Sequence, residues 1–331
     1  MTASPLLDDT LVTELVRDAT AAPSMHNAQP WRFRYARQSR TFRLSADFDR
    51  GMPHSDPDAR GLHLGCGAAL LNLRVAVAHL GHHPDVTPLP DPGDPALLAT
   101  VRLTPFGAGD AALALLHPAV RRRHTSRYPF SETALPEGLR EALTAAARDE
   151  GATLAFPASW HLQWIEELTE EAEARNLTDS GSGEDLARWT RIGAAESGTA
   201  GDGVPDYAFG PRKHGGKAPM RDFSGGRPTA DFGTTAFEKD PCLALLSTGG
   251  DRPRDWLAAG QAMERVLLLA TLEGLATSFS AQALEWPDLR WPLRDPVSGT
   301  DHVQMMLRLG YGPTGPSTPR RPVREVLAMD D

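Results

Sequence analysis

GAALLNLRVAVAHLG (67–81) and GQAMERVLLLATLEG (260–274) are two apolar stretches of equal length, each with glycine at both ends. A helix that is apolar on most sides has to be buried on most sides, so each stretch predicts a helix inside the fold. Both follow irregular chain and precede a strand-like segment. The match has two readings. Either the chain is a diverged duplication, whose halves pack through these helices as two subunits pack in a homodimer, or two helices of a common kind coincide.

Working outward, Asp9 to Ala22 reads as an amphipathic helix with Asp8 or Asp9 as N-cap and Pro23 as its stop. Trp31 to Tyr35 alternates as a strand does, and Thr41 to Phe48 is its expected antiparallel partner. Asp56 and Pro57 read as the start of the first central helix, which runs to Leu80. Ala99 to Thr104 is a further strand. The second half begins near His117, with a helix at Glu137 to Glu150, a strand at Ala152 to Phe156 and a helix at Trp160 to Asn176. Residues 178–236 then lose periodicity and become rich in Gly, Asp, Ser, Arg and Pro. A stretch that long is a functional lid or is disordered. Cys242 to Thr248, Trp256 to Leu272 and Val303 to Leu309 read as strand, helix and strand, and a Pro-rich tail leads to a short last helix. The expected division is 1–112 and 113–331, with the lid inserted in the second part.

The 331 residues are 40% apolar and carry a net charge of −9. That balance excludes a basic field for nucleic acid or for an anionic membrane, but leaves room for a local anion site. Only Lys213, Lys217 and Lys239 are lysines; every other basic side chain is arginine. This bias reads as GC-rich coding, so an arginine has to be judged by position. Cys66 and Cys242 are too few for a disulfide framework and suit a reducing cytosol. MTASPLLDDT has no basic region followed by an apolar run, and no stretch reaches roughly 18 uninterrupted apolar residues. A cytoplasmic protein is expected.

Two segments carry chemistry. Pro23–Trp31 places Ser24, Asn27 and Gln29 in a short loop stiffened by Pro23 and Pro30, able to bind a planar heterocycle or a ribityl chain. The same residues also serve to satisfy a turn's own backbone. Arg121 to Arg127 gathers four arginines with His124, Thr125 and Ser126, a set that suits a phosphate but equally a solvated basic edge. Arg320-Arg321 is a second cation pair. His79, His82, His83 and Asp85 lie close enough in sequence for a metal, but Gly81 interrupts the helix between them and no site is expected. Gly-x-Ser-x-Gly and a Gly-x-Gly-x-x-Gly after a strand are both missing, so neither a hydrolase nor a Rossmann nicotinamide site is supported.

PSMHNAQPW (23–31) followed by an alternating strand resembles the FMN-site loop of nitroreductases. RRHTSRYPF (122–130), GLATSF (274–279) and LGYGPTGPSTPRRPVREVL (309–327) resemble that family's phosphate segment, its helix-end loop near flavin N5 and its C-terminal segment. Their order differs from ordinary nitroreductases and is similar to the fused Acg-type subgroup, in which a duplicated chain mimics a dimer. The resemblance implies an α+β nitroreductase-like fold, internally duplicated, with mixed, mainly antiparallel sheets flanked by helices. It implies that Arg123, Thr125 and Arg321 hold phosphate with Arg320 and His124 close by. Ser24, Met25, Asn27 and Gln29 would contact ring and ribityl chain, and Arg127 would lie by the pyrimidine. Phe279, Ser280 and Ala281 would turn backbone N–H groups to N5. One intact flavin site is expected, because DEGATLAF stands where a second loop would be.

On this reading FMN does the chemistry with NAD(P)H as transient donor and a nitroaromatic- or quinone-like acceptor. The rival is a flavin-sequestering protein whose 178–236 lid, with Tyr207, Phe209, Phe223 or Phe232 on the ring, leaves little turnover. Expected partners are a small-molecule acceptor, no nucleic acid and no membrane, in a monomeric pseudo-dimer or a homodimer.

Overall fold

The computed structural model describes residues 7–107, 110–294, 299 and 301–330. In the first half, α1 (Asp9–Ala19) leads through a loop to β1 (Trp31–Ala36) and β2 (Thr41–Ala46), then α2 (Arg60–His79), β3 (His82–Pro88) and β4 (Leu97–Pro105). In the second, α3 (Glu137–Asp149) leads to β5 (Thr153–Ala155), then α4 (Ser159–Thr178), β6 (Leu243–Thr248), α5 (Pro253–Leu272), β7 (Ala276–Ser280) and β8 (His302–Gly310). A last strand, β9 (Leu327–Asp330), follows the tail.

The strands form a mixed sheet in the order β9-β1-β2-β4-β3 and an antiparallel sheet in the order β7-β8-β6-β5. Without β9 the first runs β1-β2-β4-β3, and the second, read from its other edge, runs β5-β6-β8-β7. Each half is thus a helix, four antiparallel strands in one connection order, and a long helix between the second and third strands. The long helices α2 and α5 pack on each other at the centre. Their crossing is reciprocal: a Cβ on Gly67 would collide with Leu257 O and Gly260 Cα, and one on Gly260 with Leu64 O. Leu64 and Leu257 each stand three residues before their glycine, so the same contact is made twice in opposite directions.

Alternation explains the sheets. β1 buries Trp31, Phe33 and Tyr35 while Arg32 and Arg34 face out, and Phe33 lies opposite Leu44 and Tyr35 opposite Phe42 in β2. α2 has the length and apolarity of a membrane span, but 89% of that window is buried, so it is a core helix. It starts three residues later than the sequence suggests, with Ala59 at φ 58° as its N-cap. Asp56 still caps it from upstream, accepting from the N–H groups of Gly61 at 2.8 Å and Leu62 at 2.9 Å. For α1 the cap is Asp8, whose Oδ1 accepts from Leu11 N at 2.8 Å, and the helix stops at Ala19.

Three elements differ from expectation. β3 occupies the His82–Asp85 segment and pairs with β4, so His83 meets Asp110 at 2.8 Å and His79 stacks on His117. No three metal-ligating side chains cluster among the described residues. Residues 276–279 form a strand where a helix-end loop was expected, because Gly274 at φ 77° ends α5 at once and lets the chain turn into the sheet. The tail continues past its short helix Val323–Val326 into β9, which pairs in parallel with β1. The second half's chain end therefore completes the first half's sheet.

Residues 156–242 join β5 to β6 where the first half has only the turn 37–40. They include α4, a helix at Ser180–Arg188 capped by Asp179, and loops with their own small core of Val204, Ala208, Phe209 and Phe223.

Candidate functional site

The Pro23–Trp31 loop is held in a conformation that L-residues avoid. His26, Asn27 and Gln29 all have positive φ, at 46°, 55° and 54°, a local cost of the kind that collects at functional sites. The surroundings hold it there. Asn27 Nδ2 donates to Gly203 O at 2.9 Å in the insertion and to Pro319 O at 3.0 Å in the tail. Gln29, fully buried, donates through Nε2 to Gly201 O at 2.8 Å and accepts through Oε1 from Arg321 N at 2.9 Å. Ser24 Oγ accepts from Gln29 N at 2.9 Å.

This loop forms one wall of a cleft of about 860 Å³, open solvent included. The other walls come from distant parts of the chain: Arg123–Thr125 and Arg127, the insertion's Val204, Pro219–Arg221 and Phe223, Ser278 and Phe279 of β7 with Ala281, Gln282 and Glu285 after it, and Thr318 and Arg320 of the tail. The Thr125 segment reaches the cleft by threading between β7 and the tail. Thr125 bridges to Thr277, Ser126 N donates to Thr277 O at 2.8 Å, and Ser126 Oγ donates to Pro313 O at 2.7 Å. Gly315 passes so close to Thr125 O that no Cβ fits there.

Of the residues expected at a site, Ser24, Met25, Asn27, Arg123, His124, Thr125, Arg127, Phe279, Ala281 and Arg320 line this one cleft. Gln29, Ser280 and Arg321 do not. Gln29 lies behind the loop as a brace, and Ser280 donates its hydroxyl to Gln282 Oε1. Arg321 turns toward Glu325, whose Oε2 is 3.8 Å from its Nε. Its neighbour Arg320 takes the cleft instead. Ser24 and Asn27 spend several of their polar atoms on the loop and its neighbours, as turn residues do.

The cations are distributed unevenly. Arg320 donates to Thr20 O at 2.7 Å, Ala21 O at 3.0 Å, Asn27 Oδ1 at 3.0 Å and Thr318 Oγ1 at 2.8 Å, with no carboxylate in its set. Burial, then the like charge of Arg123, brings its pKa down to about 9. Arg127 donates to Ala208 O at 2.8 Å and lies over the Phe223 ring at 4.6 Å. Burial, then Arg221, brings it to about 10. By contrast Arg221 is bound bidentately by Glu285 at 2.5 and 2.6 Å and touches His26 Nε2 at 2.9 Å. His26 is held neutral: burial first, then Arg221 and Arg127, depress its pKa well below 6.5. Its Nε2 is then the acceptor for Arg221.

The sequence did not single out Arg221, His26, Gln282, Glu285 or Thr318. Arg221 sits in a stretch without periodicity, and nothing local links it to Glu285. Among the insertion's aromatics, Phe223 lines the cleft and Phe209 stacks behind it at 5.7 Å. Tyr207 is exposed and donates to Ser317 O, while Phe232 borders an outer cavity.

No family profile matches the chain. A Mycobacterium tuberculosis H37Rv protein, provisionally named an NAD(P)H nitroreductase, is 32% identical over 315 residues, spanning 93% of this chain and 88% of its own. A second from that strain, with the provisional name NAD(P)H nitroreductase acg, is 29% identical over 331 residues, spanning 97% and 98%. Solved structures overlap more loosely. A BluB-like flavoprotein from Clostridium difficile 630 gives a TM-score of 0.42 at 13% identity, over 65% of this chain and 99% of its own. A nitroreductase from Anabaena variabilis gives 0.40 at 13% identity, over 91% and 73%. With about a third of residues shared along nearly the whole of both chains, the protein belongs to the family of the NAD(P)H nitroreductases.

Proposed function

We propose that the protein is an FMN-dependent oxidoreductase that takes hydride from NADH or NADPH and passes it to a small organic acceptor of nitroaromatic or quinone type. The observation that supports this most is the cation surplus at the Arg123–Arg320 end of the cleft. A buried guanidinium is normally matched by an anion, and among the described residues the hydrogen-bond acceptors of Arg320 are all neutral oxygens. A phosphomonoester dianion would complete that set, so the residues fit the flavin's phosphate. Arg123, Arg320 and Thr125 would hold it, with His124 beside them.

Ser24, Met25 and Asn27 on one side and Phe279 and Ala281 on the other would border the ring, and Arg127 would bring positive charge to its pyrimidine side. When bound, FMN supplies the hydride chemistry. The chain binds and orients it, and the wall of Val204, Pro219–Arg221 and Phe223 keeps water from it.

A second reading has its own support. That same wall is tied down by the Arg221–Glu285 pair, and a fixed wall over the ring would exclude nicotinamide and leave a flavin-sequestering protein. Anaerobic mixing with NADH or NADPH, followed in the flavin's blue absorption band, separates the two. Bleaching within seconds means an oxidoreductase. A yellow protein that neither bleaches nor exchanges its flavin means sequestration, and a colourless protein that takes up no FMN overturns both.

The pseudo-dimer also belongs to this reading. The shared strand order and the reciprocal Gly67–Gly260 crossing support descent of the two halves from one duplicated unit. A cytoplasmic setting fits the two free cysteines.

A further inference from the structure

Behind the arginine end of the cleft, three buried polar side chains meet where α2 and α5 cross. Asn72 of α2 and Glu264 of α5 have no exposed surface, and Arg123 is 3% exposed. Arg123 Nε stands 3.4 Å from Glu264 Oε1, and Arg123 Nη2 donates to Ala21 O at 3.2 Å. Among the described residues, Arg123 Nε and Nη1, both carboxylate oxygens of Glu264 and both amide atoms of Asn72 make no well-formed hydrogen bond, although the Asn72 amide stands close enough to pull on the Glu264 carboxylate. Buried polar groups are nearly always satisfied, and a network left half satisfied in a packed core is costly. This one adjoins the cleft through Arg123, and it holds two guanidinium groups, Arg123 and Arg320, against one carboxylate.

We propose that Glu264 is a place-holding counter-ion: it compensates Arg123 while the site is empty and competes with an incoming phosphate for that guanidinium. The assignment rests on the phosphate reading of the Arg123–Arg320 end. A phosphate oxygen gives Arg123 Nη1 the acceptor it lacks, and the phosphate's charge acts against the Glu264 carboxylate across a poorly screened interior. Burial already raises the Glu264 pKa, against the pull of Arg123, Asn72 and Arg320. Burial, then Arg123 and Arg320, lower the pKa of the neighbouring His124. A dianion arriving beside Arg123 therefore favours protonated Glu264, and binding draws in a proton.

The test compares FMN with riboflavin, which lacks the phosphate, on wild-type protein and Glu264→Gln. The variant is expected to bind FMN about tenfold more tightly than wild type near pH 8, an advantage that shrinks as the pH is lowered and wild-type Glu264 protonates. Riboflavin affinity should stay unchanged. A residue that merely supported the fold would weaken both ligands at every pH. Wild-type protein that binds riboflavin as tightly as FMN overturns the phosphate reading and Glu264 with it. FMN preferred over riboflavin, but bound no more tightly by Glu264→Gln near pH 8, overturns the Glu264 assignment alone. If Glu264→Gln folds only with FMN present while Glu264→Asp folds without it, the counter-ion role stands; if neither folds with FMN, it falls.

Discussion

At one end of the cleft Arg320 is surrounded by carbonyls, an amide and a hydroxyl; at the other, Arg221 is clamped by a carboxylate on the same guanidinium nitrogen that would otherwise be free. The two cations sit in one cavity but are settled differently. An arginine matched inside the protein is structural, because its field is cancelled before a ligand arrives. An arginine left with neutral partners keeps its field for an anion from outside. The first end therefore reads as the binding end and the second as the fastening of the wall. The origin of the residues differs too: the binding end is built from the first half's loop, the Arg123–Thr125 segment and the tail, the fastening from Arg221 of the insertion and Glu285 after β7.

The largest expected effect breaks the binding end. Arg123→Ala with Arg320→Ala should cost two charge-assisted contacts and lower FMN affinity by about a thousandfold or more, read by fluorescence titration alongside a melting curve. Arg321→Ala, which removes the side chain facing Glu325, should change that affinity by less than about threefold. An equal loss from Arg321→Ala would erase the distinction between the adjacent arginines.

Next in size is the fastening. Glu285→Gln leaves buried Arg221 without its hydrogen-bonded counter-charge and with Glu173 as a remaining carboxylate, which costs about 3 kcal/mol. The loss should appear as earlier protease cutting and faster hydrogen exchange within 204–223 rather than as loss of flavin. If the wall blocks nicotinamide, the same variant should bleach faster with NADH than wild type. Flavin loss without any loosening of the wall would mean that Glu285 belongs to the binding end after all.

The smallest effect concerns His26, which touches the fastening from the loop. Its folded pKa lies well below 6.5, so the unfolded chain binds a proton there more readily than the folded one does. Stability from this group is intact above about pH 6.5 and is lost as the pH falls toward the folded value, by up to about 1.4 kcal/mol per pH unit. His26→Gln should flatten that limb of the melting temperature against pH, while His63, His82 and His124, also depressed, keep part of it. An unchanged slope would mean that His26 takes its proton without opening the loop.

Periodicity and punctuation made most of the fold legible. The alternation of Trp31, Phe33 and Tyr35, the apolar girth of 67–81 and 260–274, and the caps at Asp8 and Asp56 are local signals, and local physics obeys them. The ten cleft residues named from the motif segments were legible because each motif is a short run of side chains with one common purpose. Ser280, Arg321 and Gln29 were not, since which side of an extended or turned segment faces the cleft depends on what lies across from it. β9 escaped because a parallel edge strand depends on a partner nearly the whole chain away, and β3 because Pro84 and its histidines weaken the strand pattern.

The sequence by itself determined the two central helices, six of the eight antiparallel strands beside them and the motif segments that line the cleft. All of these follow from spacing and side-chain type within a few residues. Only the tertiary structure decided that Arg320 and not Arg321 meets Arg123, that Arg221 of the insertion is neutralised by Glu285, and that Asn72 and Glu264 stand unsatisfied behind the site. Those outcomes depend on which charges are brought together away from water, and burial and pairing are properties of the assembled chain, not of any segment of it.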